Sequence, residues 1–127
     1  MTRYLMLLIL LCLLQVEAIS QNSPIMLCDS SGANCTPFQS LDSAYANASS
    51  GDYIDLPGGI FSLTSSINKE VHLIGAGFNA DSSLVTGTTT MTSISFGANA
   101  HNASVEGIYC TSSINTGSTS TLNGISV

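Results

Sequence analysis

The sequence predicts an all-β protein built from short stacked strands, and three observations lead to this prediction. First, short apolar clusters at 53–56, 60–63 and 71–74 are each bounded by Gly, Pro, Asn or Ser, the residues that turn a chain. Second, only 8 % of the residues are charged, and Ser, Thr and Asn suit a strand surface better than a helix. Third, segment 104–110 aligns with 121–127, so that Gly107 matches Gly124. Repeats of this kind indicate a solenoid that adds one coil per repeat.

Length and charge limit the classes of function. The chain has 127 residues, which allows at most one domain, and its net charge is −6. Its only Lys and Arg residues are Arg3 and Lys69. Nucleic-acid binding requires clustered cations that neutralise phosphates, so we exclude a nucleic-acid partner.

The N-terminal stretch 1–18 has the pattern of a secretory signal peptide. Arg3 precedes an apolar run at 4–14, and Val16 and Ala18 place small residues where signal peptidase cleaves. An uncleaved anchor is the alternative, but the run is shorter than the roughly 20 residues that span a bilayer. We therefore expect the stretch 1–18 to be removed, leaving no transmembrane segment and a secreted or cell-surface protein.

Three cysteines remain after this cleavage, and two of them flank a loop rich in turn residues. Cys28 and Cys35 enclose Asp-Ser-Ser-Gly-Ala-Asn, and export would place them in an oxidising compartment. Their spacing matches no zinc pattern. The sequence thus predicts a Cys28–Cys35 disulfide within an N-terminal segment, 19–35, and leaves Cys110 as a small buried apolar residue in a strand.

A helix is predicted immediately after this segment. Thr36 is the expected N-cap, Pro37 the first helical residue and Gln39 the partner in a capping box. Gly51 is suited to a left-handed position that ends the helix. The apolar face has the spacing i, i+3, i+4, i+7 and comprises Leu41, Ala44, Tyr45 and Ala48. This face should pack over the end of the strands, with Asp42 and Asn47 exposed.

Segments 41–61 and 67–77 also resemble the entry to a right-handed parallel β-helix of the pectin-lyase-like superfamily. The matching features are Gly-Asp-Tyr-Ile-Asp-Leu-Pro-Gly-Gly-Ile-Phe at 51–61 and Lys-Glu-Val-His-Leu-Ile-Gly-Ala-Gly at 69–77. In that family a short helix caps the first coil. The resemblance implies that 36–127 is a capping helix followed by the first coils of a β-helix. Since 127 falls within a strand-like repeat, we expect a C-terminally incomplete β-helix, the N-terminal portion of a longer protein.

No catalytic, cofactor-binding or metal-binding residue is predicted. Asp52 and Asp55 lie at i and i+3, so in a strand they face opposite sides and do not form a glycosidase pair. His72 should face outward, and His101 lies in a turn. Lys69, the single cation left after cleavage, should be a solvated turn charge.

These observations favour a secreted, non-catalytic part of a surface protein that contacts polysaccharides or cell-surface glycans. The alternative is the N-terminal part of a polysaccharide lyase or glycoside hydrolase whose active site lies on further coils. The choice between the surface protein and the enzyme rests on analogy with the family, because a fold does not imply a function. Asn34, Asn47 and Asn102 begin Asn-X-Ser/Thr sequons, which would be glycan acceptors in a eukaryotic secretory pathway and usually carry no meaning in a bacterium.

Overall fold

The computed structural model describes residues 23–77 and 87–116. The predicted signal peptide and the second copy of the repeat, 121–127, lie outside these residues. The described chain is a small α/β domain with eight strands and one short helix. In chain order the elements are β1 (Ile25–Cys28), β2 (Cys35–Phe38), α1 (Leu41–Asn47), β3 (Asp52–Leu56), β4 (Gly59–Phe61), β5 (Val71–Gly75), β6 (Thr89–Phe96), β7 (Ser104–Glu106) and β8 (Ile108–Thr116).

The strands form two sheets. The larger is mixed and has the order β2-β1-β3-β5-β7, with antiparallel pairing of β1 to β2 and β3, and parallel pairing from β3 to β7. The smaller sheet has the order β4-β6-β8 and is entirely parallel. Consecutive strands therefore alternate between the sheets from β3 onward, and the core lies on the inner side of both.

The prediction of a right-handed parallel β-helix is wrong. An antiparallel hairpin, β1–β2, makes the larger sheet mixed, and the described residues form no closed solenoid. The number of residues between paired positions on neighbouring strands is also not constant. Asp52 pairs with Val71, whereas His72 pairs with Ser104, which lies much further along the chain. The interval that separates Gly107 from Gly124 in the sequence repeat matches neither spacing. That repeat therefore does not describe how these strands stack.

The predicted start of the helix is also wrong. Thr36 and Pro37 belong to β2, where the missing amide of Pro37 is tolerated because β2 is an edge strand. The N-cap is instead Ser40, whose hydroxyl accepts a hydrogen bond from the Ser43 amide at 3.2 Å. Pairing with β1 keeps the chain extended through Phe38, so the helix is confined to Leu41–Asn47.

The apolar face of α1 packs in part as predicted. Leu41, Ala44 and Ala48 are buried in the core, whereas Tyr45 is half-buried at its edge. The Tyr45 hydroxyl accepts from the Asn68 amide at 2.7 Å and donates to the Ser66 carbonyl at 3.3 Å. Asn47 is exposed, but Asp42 is half-buried because its carboxylate accepts two hydrogen bonds from Thr64. Helix and loop are thus tied together by polar contacts at the rim of the core.

A β-bulge sets the inward face of β6. The pairing of β6 with β8 shifts register between Met91 and Ser93, so Met91 and Ile94 both point inward although they stand at i and i+3. The core cluster draws side chains from both sheets, the helix and the loops. Among the described residues, the largest fully buried side chains are those of Ile54, Ile67, Leu73, Met91, Val71 and Thr89. Within the described ranges, no helix is long and apolar enough to cross a membrane.

Candidate functional site

The outer face of the larger sheet carries two cross-strand rows of side chains. The register aligns Cys28, Tyr53, His72 and Ser104 in one row, and Met26, Asp55, Ile74 and Glu106 in the next. Successive strand residues point to opposite faces, so the residues between these rows, including Ile54 and Leu73, fill the core. The face therefore combines aromatic, aliphatic, hydroxyl and carboxylate groups within a few strand spacings.

Tyr53 and His72 form the aromatic centre of this face. Their ring centroids are 4.8 Å apart with an interplanar angle of 29°, a stacked arrangement set by the parallel pairing of β3 and β5. His72 Nδ1 lies 2.8 Å from the hydroxyl of Ser104 on the next strand. Both rings are half-buried, and the His72 ring lies between the Tyr53 ring and the Ser104 hydroxyl. Such fixed rings lose little conformational entropy when they contact a ligand.

A disulfide loop borders one end of the face. Cys28 and Cys35 are bonded, and their Cα atoms are 4.0 Å apart in the β1–β2 hairpin. Inside the loop the Asp29 carboxylate accepts from the Ser31 amide at 3.1 Å, the Ser31 hydroxyl at 2.6 Å and the Ala33 amide at 3.2 Å. The Asn34 side-chain amide donates to its other oxygen. These hydrogen bonds, above all that from the Ser31 hydroxyl, hold the pKa of Asp29 well below its usual range.

Between this loop and the sheet lies an open cleft of about 370 Å³. One wall is the loop and the floor is the outer face of β3 and β5. Its lining combines apolar surface with hydroxyl and carboxylate oxygens, and comprises Cys28, Ser30, Ser31, Gly32, Cys35, Tyr53, Asp55 and Ile74. Binding sites for small ligands have this character, an apolar bed with a few placed polar groups.

Asp52 and Asp55 face opposite sides as predicted: Asp52 accepts from the Ser49 amide at 2.8 Å in the turn, and Asp55 is exposed beside the cleft. His101 is exposed, and Cys110 is a free, buried thiol on β8. The predicted Cys28–Cys35 bridge is present. Over residues 23–77 and 87–116, no group of three or more His, Cys, Asp or Glu is arranged to hold a metal ion.

The prediction for Lys69 is wrong in its detail. Rather than standing free in solvent, its ammonium donates to the Ala48 carbonyl at the end of α1 and lies 4.6 Å from the centroid of the Tyr45 ring. A cation is favourable at the C-terminal end of a helix, and the aromatic face adds to the attraction. Lys69 therefore stabilises the C-terminal end of α1, and it is not among the residues that line the cleft.

Sequence reasoning missed the partners of His72, which are Tyr53 and Ser104. The three residues lie on separate strands, and only the strand register brings them together. In enzymes that use a serine nucleophile, an imidazole hydrogen-bonded to the serine hydroxyl acts as the base that activates it. A third group then orients the imidazole. Among the described residues, Ser104 is the one hydrogen-bond partner of the His72 ring. The structure shows this pair as a cross-strand side-chain contact between β5 and β7.

Comparison with known proteins finds no matching family model, no matching curated protein and no matching solved structure. The resemblance to the pectin-lyase-like superfamily therefore has no support from these comparisons, in agreement with the mixed sheet. Functional inference rests on the chemistry of the cleft alone.

Proposed function

We propose that this chain is a non-catalytic binding domain whose cleft, between the disulfide loop and the larger sheet, holds a glycan. The observation that carries the proposal is the lining of the cleft by Tyr53, Ile74 and Asp55 beside the hydroxyls of Ser30 and Ser31. A sugar ring has apolar C–H faces and a rim of hydroxyls. Such a ligand needs apolar surface and hydrogen-bonding oxygens in the same small space, and the cleft supplies both.

The rigidity of the walls supports binding. The loop is closed by the Cys28–Cys35 bond and by four hydrogen bonds to the Asp29 carboxylate. The floor is a hydrogen-bonded sheet in which Tyr53 is stacked on His72. Because these groups are already ordered, a ligand would not have to order them on binding, and more of the contact energy would remain as affinity.

Binding is preferred to catalysis on the composition of the same face. Glycoside hydrolysis requires two carboxyl groups on either side of one bond. Asp55 is the one carboxyl-bearing residue of the cleft lining, and the turn contact of Asp52 keeps that second aspartate on the opposite side of β3. The lyase or hydrolase alternative stays a prediction about chain beyond the described residues.

The proposal includes action outside the cell. Disulfides persist in oxidising compartments, and the leader-like pattern at 1–18 favours export. Expression in a secreting host, followed by N-terminal sequencing of the protein recovered from the medium or periplasm, tests this part. A chain that stays in the cytoplasm with the stretch 1–18 intact would contradict it.

The binding proposal is tested by nuclear magnetic resonance titration of the chain with uncharged oligosaccharides of defined length. We expect chemical-shift changes at residues that line the cleft, including Tyr53, Ile74 and Ser31. The matched control compares Tyr53→Ala with Tyr109→Ala, because Tyr109 is a 48 % exposed tyrosine on the smaller sheet. Loss of binding in the first variant alone supports the proposal. Equal loss in both variants, or no shift with any oligosaccharide, would overturn it.

A further inference from the structure

Building on the proposed glycan site, we infer that its preferred ligands carry free amino groups, as in a polymer of glucosamine, rather than acetylated or acidic sugars. Asp55 is exposed, lies on the outer face of β3 and borders the cleft next to Ile74. Its carboxylate can accept a charge-assisted hydrogen bond from an ammonium group, and such bonds are roughly twice as strong as neutral ones.

The surroundings of the cleft carry the same sign of charge. Asp29 lies directly before the lining residues Ser30 and Ser31, and its hydrogen bonds favour the ionised carboxylate. Glu106 lies in the same cross-strand row as Asp55, with Ile74 between them. At physiological salt, a charged group of a bound sugar would interact with carboxylates that lie within about 8 Å of it. A sugar that carries a carboxylate would therefore be repelled on entering the cleft.

Cations that could offset these carboxylates are engaged elsewhere. Lys69 is the one Lys or Arg of the described residues, and its ammonium is bound to the Ala48 carbonyl over the Tyr45 ring. His72 is on the same outer face but is stacked on Tyr53 and hydrogen-bonded to Ser104. It is not among the residues that line the cleft, so Asp55 is the charged group nearest to a bound sugar.

The test compares three oligosaccharides of equal length by calorimetry: glucosamine, N-acetylglucosamine and galacturonate oligomers, at a mildly acidic pH that keeps the amines protonated. We expect the glucosamine oligomer to bind about tenfold more tightly than the acetylated one, the scale of one charge-assisted hydrogen bond. Galacturonate should bind most weakly. Added salt should weaken binding of the glucosamine oligomer and leave the acetylated one nearly unchanged.

Two isosteric variants identify the group that recognises the amine. Asp55→Asn should abolish the preference for glucosamine over N-acetylglucosamine, so that the two oligomers bind with similar affinity. Glu70→Gln is the matched control, because it removes one negative charge at a residue outside the cleft. Equal effects of the two variants would mean attraction to net charge and would overturn the inference. Cleft binding without preference for the amine would overturn the inference alone, whereas absence of binding by all three oligomers would overturn the proposed function as well.

Discussion

The hydroxyl of Thr89 joins the two sheets by donating a hydrogen bond to the Pro57 carbonyl at 2.9 Å. The same oxygen accepts a hydrogen bond from the Ala76 amide at 2.8 Å. One side chain on β6 therefore links the residues that directly follow β3 and β5. Thr89 is fully buried. Buried polar groups are costly unless paired, and here both the donor and the acceptor capacity of the hydroxyl are used.

Replacing this hydroxyl with a methyl group should destabilise the fold. We expect Thr89→Val to lower the free energy of unfolding by about 1–3 kcal/mol, because the Pro57 carbonyl and the Ala76 amide lose a partner. Urea denaturation monitored by circular dichroism measures the change. Thr89→Ser keeps the hydroxyl and is the control. If the valine variant were as stable as the wild type while the serine variant were less stable, methyl packing rather than hydrogen bonding would govern this position.

Two glycines allow the close approach of β5 to the β7–β8 turn. A Cβ at Gly107 would lie 2.6 Å from the Gly75 carbonyl oxygen, and Gly107 has φ of 64°. Gly32 is a suitable control because its φ is 72° but a Cβ there would meet no atom within 4 Å. Both Ala variants should carry a left-handed backbone cost of about 1–2 kcal/mol. Thermal denaturation should show a larger loss for Gly107→Ala, and equal losses would contradict the close packing.

The apolar face of the helix gives a third prediction. Leu41 is buried in the core, so Leu41→Ala should lower the free energy of unfolding by roughly 2–3 kcal/mol. Ala46→Ser, on the exposed side of α1, is the control and should change stability little. Chemical denaturation of both variants measures the difference. A loss within experimental error for Leu41→Ala would mean that the helix does not close the core.

The disulfide loop should respond to acid through Asp29. Its folded pKa lies below the ordinary value of 3.8, so the ionised carboxylate stabilises the loop above that pH, and this contribution is lost as the pH falls toward the folded pKa. Because the Ser31 hydroxyl is the largest cause, Ser31→Ala should raise the pKa of Asp29 toward 3.8. Titration of the Asp29 carboxyl carbon by nuclear magnetic resonance measures this pKa in the variant and in the unchanged chain. An unchanged titration of Asp29 in Ser31→Ala would contradict the assigned cause.

Local features of this chain could be predicted from sequence because they depend on near neighbours. The Cys28–Cys35 bond closes a loop of turn residues, and the buried helix face follows from the helical periodicity of its apolar residues. Even here a longer-range interaction overrode the local signal. Pairing with β1 drew Thr36 and Pro37 into a strand, so the helix begins after Ser40.

The candidate site could not be predicted because it depends on strand register. Tyr53 and Ser104 contact His72 from other strands that are distant in sequence. No sequence motif marks the spacing from Tyr53 to His72 or from His72 to Ser104. Alternating polarity shows which side chains point outward, but not which strands are neighbours. The same gap explains why a local resemblance to a β-helix entry led to the wrong architecture.

The central claim, that the cleft beside the disulfide loop binds a sugar, is tested most directly by intermolecular nuclear Overhauser effects. The experiment uses the chain saturated with a glucosamine oligomer and detects sugar protons close to assigned side chains. We predict contacts from the sugar C–H groups to the Tyr53 ring and the Ile74 methyls, and none to the exposed Ile60 and Tyr109 on the smaller sheet. Contacts confined to Ile60 and Tyr109, or a complete absence of contacts, would contradict the claim.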